Sequence, residues 1–402
     1  MRRVVITGQG SVNALGRTVP ETLEAMRNGV CGLGPLDFED MDRLTVHIGG
    51  QVAGFDATAH FSRKEIALFD RFTQFTMLAA DEAITQSGVT FEGALADRSG
   101  VILGNSGGGM TTLNDAYREV YQDAKNRVHP FTVPKLMSNA PASHVSIRWN
   151  IRGPVFTVAA ACASSNHAMG QAALMVRAGI SDVIVTGGSE SMLCFGGVKA
   201  WEGLRVMSQD TCRPFSRDRS GLVQGEGAGV FVFEEYEHAR ARGADILAEV
   251  LGFGMSSDAS DIVMPTQDGA ARAMKAALKD ARLNPEDVTY INAHGTATAV
   301  NDRTECAAVR DAFGAQADRL MISSTKSMHG HLIGGTSAVE LLACIMALRE
   351  DVVAPTANYR EPDPDCDLDV VPNTARDVKV NVAISNAFAF GGLNAVLVLG
   401  KA

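Results

Sequence analysis

The stretch Val158-Ala159-Ala160-Ala161-Cys162-Ala163-Ser164-Ser165-Asn166-His167-Ala168-Met169-Gly170 decides how this chain reads. A short apolar run ends at Cys162, and small residues follow before a helical pattern sets in. That composition predicts a strand that stops and hands a thiol to the first turn of a helix. The first helical N–H groups lack partners there and the helix dipole is positive, so the nucleophilic thiolate is favoured over the thiol. Read alone, Cys162 is also open to the plainer account of a small buried hydrophobe.

Upstream, residues 101–104 read as a buried strand feeding the loop Asn105-Ser106-Gly107-Gly108-Gly109. Downstream, a helix over 164–178 stops at Gly179 and a second buried strand covers 182–186. This is a β-α-β unit, which implies a parallel sheet with a right-handed crossover. Residues 3–7 form a strand that opens into Gly8-Gln9-Gly10, but Asn13 stands where a dinucleotide fingerprint needs its third glycine. Residues 61–87 read as a long helix in two parts, ended by Gly88. Beyond a long connection over 187–221, a second series alternates strands at 246–254, 289–293 and 321–323 with helices at 268–281, 302–313 and 334–348, and strands at 378–385 and 395–399 close the chain. In each half a strand end carries a reactive side chain through small residues into a helix, Cys162 in the first and His331 in the second. We therefore expect an α/β fold of duplicated topology, with halves at 1–243 and 244–402 in one compact structural unit around one core.

The bulk numbers exclude several classes. Apolar residues are 46% of the 402, charged residues 20%, which is ample for a core and leaves no case for disorder. The net charge of -10, with no basic run, speaks against nucleic acid as a partner. Seven scattered cysteines without a C-x-x-C pair indicate neither zinc nor a disulfide framework. The N-terminal apolar run is too short for a signal peptide, and the stretch 338–348, interrupted by Glu340, falls short of a membrane span. The expectation is a soluble, cytoplasmic protein of a reducing compartment.

Two histidine segments belong beside Cys162. Asn292-Ala293-His294-Gly295-Thr296-Ala297-Thr298 follows a β-rich run, and Ser324-Thr325-Lys326-Ser327-Met328-His329-Gly330-His331 precedes the Gly334-Gly335 helix start. One such histidine has a structural explanation. Two of them with a cysteine at a strand-to-helix turn have the content of a nucleophile-plus-imidazole site.

These motifs, with R-P-F-S-R-D-R-S-G-L-V-Q-G-E-G-A-G at 213–229 and S-N-A-F-A-F-G-G-L-N-A at 385–395, resemble the beta-ketoacyl-acyl-carrier-protein synthases of the elongating, Cys-His-His type. The resemblance runs in order over nearly the whole chain. It implies the duplicated thiolase-like fold, layered α-β-α-β-α, a homodimer, acyl carrier protein as partner, and no cofactor beyond the phosphopantetheine that substrates carry. By the same resemblance Cys162 takes an acyl chain from a carrier thioester, and the backbone N–H groups of Cys162 and Phe390 form the oxyanion hole. His294 and His331 donate to the enolate left when malonyl-carrier protein loses carbon dioxide, and the carbanion attacks the acyl-Cys. Lys326 matches an electrostatic lysine, with Glu305 expected as its structural partner. Thr296 and Thr298 match pantetheine-binding residues, and Phe388 and Phe390 match the loop that gates the acyl pocket. Gly107 matches a pocket-floor position and suggests an unobstructed pocket. Arg63, Lys64 and Arg205 match carrier-protein docking residues, which a chain of net charge -10 would need locally. Glu340 alone is too little for a cation site, and no metal is expected.

Ala389 and Leu393 depart from the usual F-G-F-G-G-T-N, and a stiffer loop follows if position 389 requires positive φ. The leading expectation is a two-carbon extension in fatty-acid biosynthesis. Specialised polyketide, nodulation-factor or unusual lipid synthesis is the alternative within the fold. A non-catalytic chain-length partner is disfavoured by the presence of Cys162, and a Cys hydrolase would want an Asn or Asp oriented on its histidine.

Overall fold

The N-terminal run V-V-I-T-G-Q-G-S-V is buried at every position, as a strand covered on both faces must be. The structure, a computed structural model, describes residues 2–402. This run is β1 (Val4–Val12), and Gly8-Gln9-Gly10, read from sequence as an opening turn, lies inside it. Further strands are β2 (Ser99–Gly104), β3 (Val155–Val158), β4 (Val183–Glu190), β5 (Gly227–Glu235), β6 (Ala248–Ser257), β7 (Tyr290–Asn292), β8 (Met321–Ser323), β9 (Val382–Ala389) and β10 (Leu393–Gly400). They pair in the order β8-β7-β9-β10-β6-β1-β5-β4-β2-β3.

That order is one topology used twice. The first half runs β3-β2-β4-β5-β1 and the second β8-β7-β9-β10-β6, and corresponding strands occupy corresponding places. Directions match as well: β2 is parallel to β3 and β4, as β7 is to β8 and β9, while the remaining neighbours within each half are antiparallel. The halves meet where β1 and β6 pair antiparallel through Val5 with Glu249 and Ile6 with Ala248.

Helices complete the layers. On one outer side α1 (Arg71–Ser87) packs on β1 and β5, and α2 (Ala140–Trp149) on β2. On the other, α4 (Gln267–Ala281) packs on β6 and β10, and α5 (Ala299–Phe313) covers α4. Between the half-sheets lie α3 (Ser164–Arg177) and α6 (Thr336–Glu350), each touching strands of both halves. Every residue of α6 from Thr336 to Leu348 is buried, which is what a helix apolar on all sides demands. Glu340 is the single carboxylate in that buried stretch, so its partner must be internal. The arrangement is the α-β-α-β-α layering of a thiolase-like fold, and it brings the N-termini of α3 and α6 together: the Asn166 N–H donates to Ser337 Oγ at 3.0 Å, and Ser165 Oγ donates to the Gly334 carbonyl.

Candidate active site

β3 stops at Val158, and α3 begins at Ser164 with Ala163 as its cap. The helix starts where expected, and Cys162 therefore lies in the turn before it and not in its first turn. Ala161 sits at φ +45, a left-handed conformation costly for a residue with a side chain. Ser164 secures it: its hydroxyl accepts from the Ala160 N–H at 2.8 Å and donates to the Ala161 carbonyl at 2.7 Å. The turn aims Cys162 Sγ at His331, whose Nε2 is 3.2 Å away.

The expected low-pKa thiolate is not what this environment produces. Burial pushes the Cys162 thiol up to about 12, while the Lys326 charge and the backbone N–H groups of Phe390 and Cys162 pull the other way. Desolvation wins because the thiol is only 5% exposed and the helix starts too late to offer it a free N–H. The two N–H groups nonetheless face Sγ.

His331 is held in one tautomer. The Ile333 N–H donates to its Nδ1 at 3.2 Å, so Nδ1 accepts, the Thr336 hydroxyl 2.8 Å from the same nitrogen is a second donor to it, and the neutral ring carries its proton on Nε2, facing Sγ. Ile333 reaches that place at φ +48, a true outlier for a β-branched residue. The His294 ring stands 5.6 Å from that of His331, nearly perpendicular, and 6.0 Å from the ring of Phe388. Both imidazoles are held well below their ordinary pKa, first by burial and then by the charge of Lys326, so both are neutral.

Lys326 is completely buried and pairs with Glu340, not Glu305. Glu340 projects from the second turn of α6 onto the lysine, a proximity that sequence spacing does not reveal. This pairing also occupies the carboxylate considered for a cation. Among the described residues no cluster of three or more His, Cys, Asp or Glu is disposed to hold a metal. Glu305 instead reaches back from α5 to accept the N–H groups of His294 at 2.9 Å and Gly295 at 2.7 Å, with Asn386 Nδ2 at 3.1 Å. It shapes the turn that presents His294. Lys326 and Glu340 are both fully buried, so Glu340→Gln, which strands the lysine's charge, is expected to cost about 3–5 kcal/mol of stability. Urea unfolding measures this, and a loss below about 1 kcal/mol would mean that water reaches the pair.

A cavity of about 330 Å³ joins Cys162, His294 and His331 to the surface past Thr296, Thr298 and Phe390. The two threonine hydroxyls are 2.9 Å apart. Phe390 stacks on Trp201, with ring centroids 5.8 Å apart, a partner that sequence reasoning missed. Ala389 lies at the end of β9 opposite Leu393 and outside the left-handed region; Gly391 at φ +82 and Gly392 at φ +67 take the turn, so the alanine adds no strain. Arg205 is on the cavity rim, whereas Arg63 and Lys64 are exposed at the start of helix Arg63–Leu68 and line none of it. Gly107 is also outside the cavity. The room left by its missing side chain is taken by Met192, whose Cε would lie 2.3 Å from a Cβ there, so an unobstructed floor does not follow from the glycine.

Another residue missed from sequence is Glu190, at the end of β4. Burial pushes its carboxyl up to about 7, against the pull of the N–H groups of Ser106, Gly107 and Gly334 and the Asn105 amide. Its signal was a lone charge ending the otherwise uncharged buried strand V-I-V-T-G-G-S-E.

Comparison with known proteins agrees with this layout. Residues 1–239 match the family described as "Beta-ketoacyl synthase, N-terminal domain", and residues 247–360 match "Beta-ketoacyl synthase, C-terminal domain". "Nodulation protein E" of Rhizobium sp. (strain N33) is 50% identical over 396 residues, 98% of each chain. "3-oxoacyl-[acyl-carrier-protein] synthase 2" of Staphylococcus aureus (strain N315) is 40% identical over 407 residues, covering 100% of this chain and 98% of that one. The solved structure of "The ishigamide ketosynthase/chain length factor" superposes with a TM-score of 0.95 at 34% identity, over 100% of this chain and 99% of that one. With both family halves matched in order, and a cysteine and two neutral histidines around one cavity, the chain belongs to the beta-ketoacyl synthases.

Proposed function

We propose that this protein condenses an acyl group held on Cys162 with a malonyl group delivered by acyl carrier protein, lengthening the chain by two carbons. The observation that carries the reading is two neutral imidazoles lining one cavity with the thiol, His331 in hydrogen-bond reach of Sγ and His294 beside it, with no carboxylate or amide side chain among the described residues hydrogen-bonded to either ring. A Cys hydrolase orients its histidine to activate water. Here the His331 ring is fixed by the Thr336 hydroxyl and the Ile333 N–H, and it presents an N–H donor to the cavity.

In the first half-reaction Sγ bonds to the carrier thioester carbonyl. The developing oxyanion is stabilised by the N–H groups of Cys162 and Phe390, and the pantetheine sulfur leaves with the thiol proton. In the second, the malonyl group loses carbon dioxide, and its thioester oxygen takes the enolate charge under donors from His294 and His331. The enolate carbon then attacks the acyl-Cys carbonyl and releases Sγ. Burial first, and then the charge of Lys326, keeps both rings unprotonated. Thr296 and Thr298 are suited to the pantetheine amides, and Arg205 to the carrier's acidic surface. Phosphopantetheine arrives on the substrates, and the residues described need no resident cofactor. The seven free thiols suit the cytoplasm. We also infer a homodimer: β3 is an edge strand with Phe156 38% exposed, and the segment between β2 and β3 exposes Tyr117, Tyr121 and Phe131.

The higher identity to Nodulation protein E than to the Staphylococcus synthase favours a second reading, a specialised pathway for a particular acyl chain. Condensation assays over acyl-carrier proteins of graded length and unsaturation separate the two. Similar rates over a broad saturated series support general elongation, and a sharp preference for one chain class supports specialisation. Release of free acid without ketoacyl product would overturn both.

A further inference from the structure

The tautomer of His331 depends on one backbone donor, the Ile333 N–H, and Ile333 holds a conformation that a β-branched residue avoids. Such strain persists only where the surroundings over-determine it. The Thr336 hydroxyl, 2.8 Å from His331 Nδ1 and 3.0 Å from the Ile333 carbonyl, is one restraint, and in this tautomer its single proton goes to Nδ1. The stronger one lies across the site. Glu190 Oε2 accepts the Gly334 N–H at 3.2 Å and the Ser106 N–H at 3.0 Å, while Oε1 takes the Asn105 amide at 3.0 Å. The Gly107 N–H is shared between both oxygens at 3.2 and 3.3 Å. One fully buried carboxylate thus ties the glycine loop 105–109 to the turn that supplies the Ile333 N–H. Gly334 must be glycine for this contact, because a Cβ there would come 2.6 Å from the Ser106 nitrogen.

We propose that Glu190 is a positioning residue: by holding the Gly334 amide it keeps Ile333 left-handed and His331 in the Nε2–H tautomer. The proposal rests on the condensing role assigned to His331 above. A carboxylate is needed because four donors converge on two oxygens. The isosteric amide of Gln would turn N–H groups toward backbone N–H groups and release the turn.

The test is ¹⁵N NMR of histidine-labelled protein, with His331 assigned by its loss in His331→Asn. The wild type is expected to show the Nε2–H form. Glu190→Gln is expected to populate the Nδ1–H form and to lower malonyl-carrier decarboxylation by about 10- to 100-fold, the range for losing a group that orients a reacting ligand. KM should stay nearly constant, and Glu190→Asp should recover part of the loss. Adding Ile333→Gly to Glu190→Gln relieves the strain and should restore the tautomer, which a general packing role for Glu190 would not allow. Should Glu190→Gln not fold, hydrogen exchange of the wild type decides: the Gly334 amide must exchange as slowly as the core. An unchanged tautomer in Glu190→Gln, no rescue by Ile333→Gly, or rapid exchange at Gly334 overturns the proposal. Because the tautomer is read without turnover, a wild type that shows it yet makes no ketoacyl product would sink the condensing function and leave the positioning role standing.

Discussion

Cys162→Ala is expected to remove acyl transfer and condensation, by about 10⁴-fold or more, while decarboxylation of malonyl-carrier protein stays measurable. The two half-reactions use different atoms. Sγ forms the acyl thioester, and no other thiol can replace it: Cys194 and Cys212 are buried elsewhere and absent from the cavity lining, and Cys31 is exposed at a distance from it. The imidazoles of His294 and His331 are placed by other groups, namely the Glu305 hold on the His294 turn and the Ile333 N–H on His331. Removing the sulfur leaves these intact and enlarges the space beside them. Radiolabelled acyl transfer and carbon dioxide release, measured on the same preparation, check the claim. Acylated protein in the alanine variant would show that another residue is the nucleophile, and loss of both activities together would show that Sγ also serves decarboxylation.

The parts of this site legible in the sequence were those that a side-chain type carries locally. A thiol at a strand end and two glycine-flanked histidines announce their chemistry without a partner, and the apolar runs around them give the strands and one β-α-β unit but not the order of the whole sheet. The duplication was visible as a plan and not as a repeat, because the fold requires only matching burial patterns at corresponding strands. What sequence could not supply was pairing across the fold. Glu305 and Glu340 lie on different helices and either could have met Lys326; only the seating of α6 between the half-sheets decides for Glu340. The sign of the Cys162 shift failed for a related reason. Helix-terminus reasoning assumes that the thiol caps the helix, but Ala163 does so, and a sulfur sealed from water is governed by desolvation. Glu190 was overlooked because three of its four donors are backbone N–H groups, which leave no trace in residue identity.

His294→Ala and His331→Ala are each expected to lower malonyl-carrier decarboxylation by about 10²–10³-fold, the loss typical of removing one preorganised donor from a developing oxyanion. The two rings meet at 5.6 Å in a buried site, so their N–H groups can address one oxygen from different directions. The double variant should lose less than the product of the single losses, since either donor alone holds the enolate less well aligned. The pH dependence follows from the charge states. Both histidines are held well below 6.5, so neither titrates between about pH 6 and 9, and as pH falls through 6.5 no imidazole gains a proton. Decarboxylation by Cys162→Ala should therefore carry no step from imidazole protonation across that range; the groups that titrate there are the buried carboxyls of Glu190 and Glu340, both pushed up to about 7 by burial. A ring ¹⁵N signal of His294 or His331 that titrates near pH 6.5 would mean that this imidazole is accessible to water and changes charge. Full decarboxylation in both single histidine variants would remove the enolate-stabilising role and leave the rings to support only the acyl-transfer step.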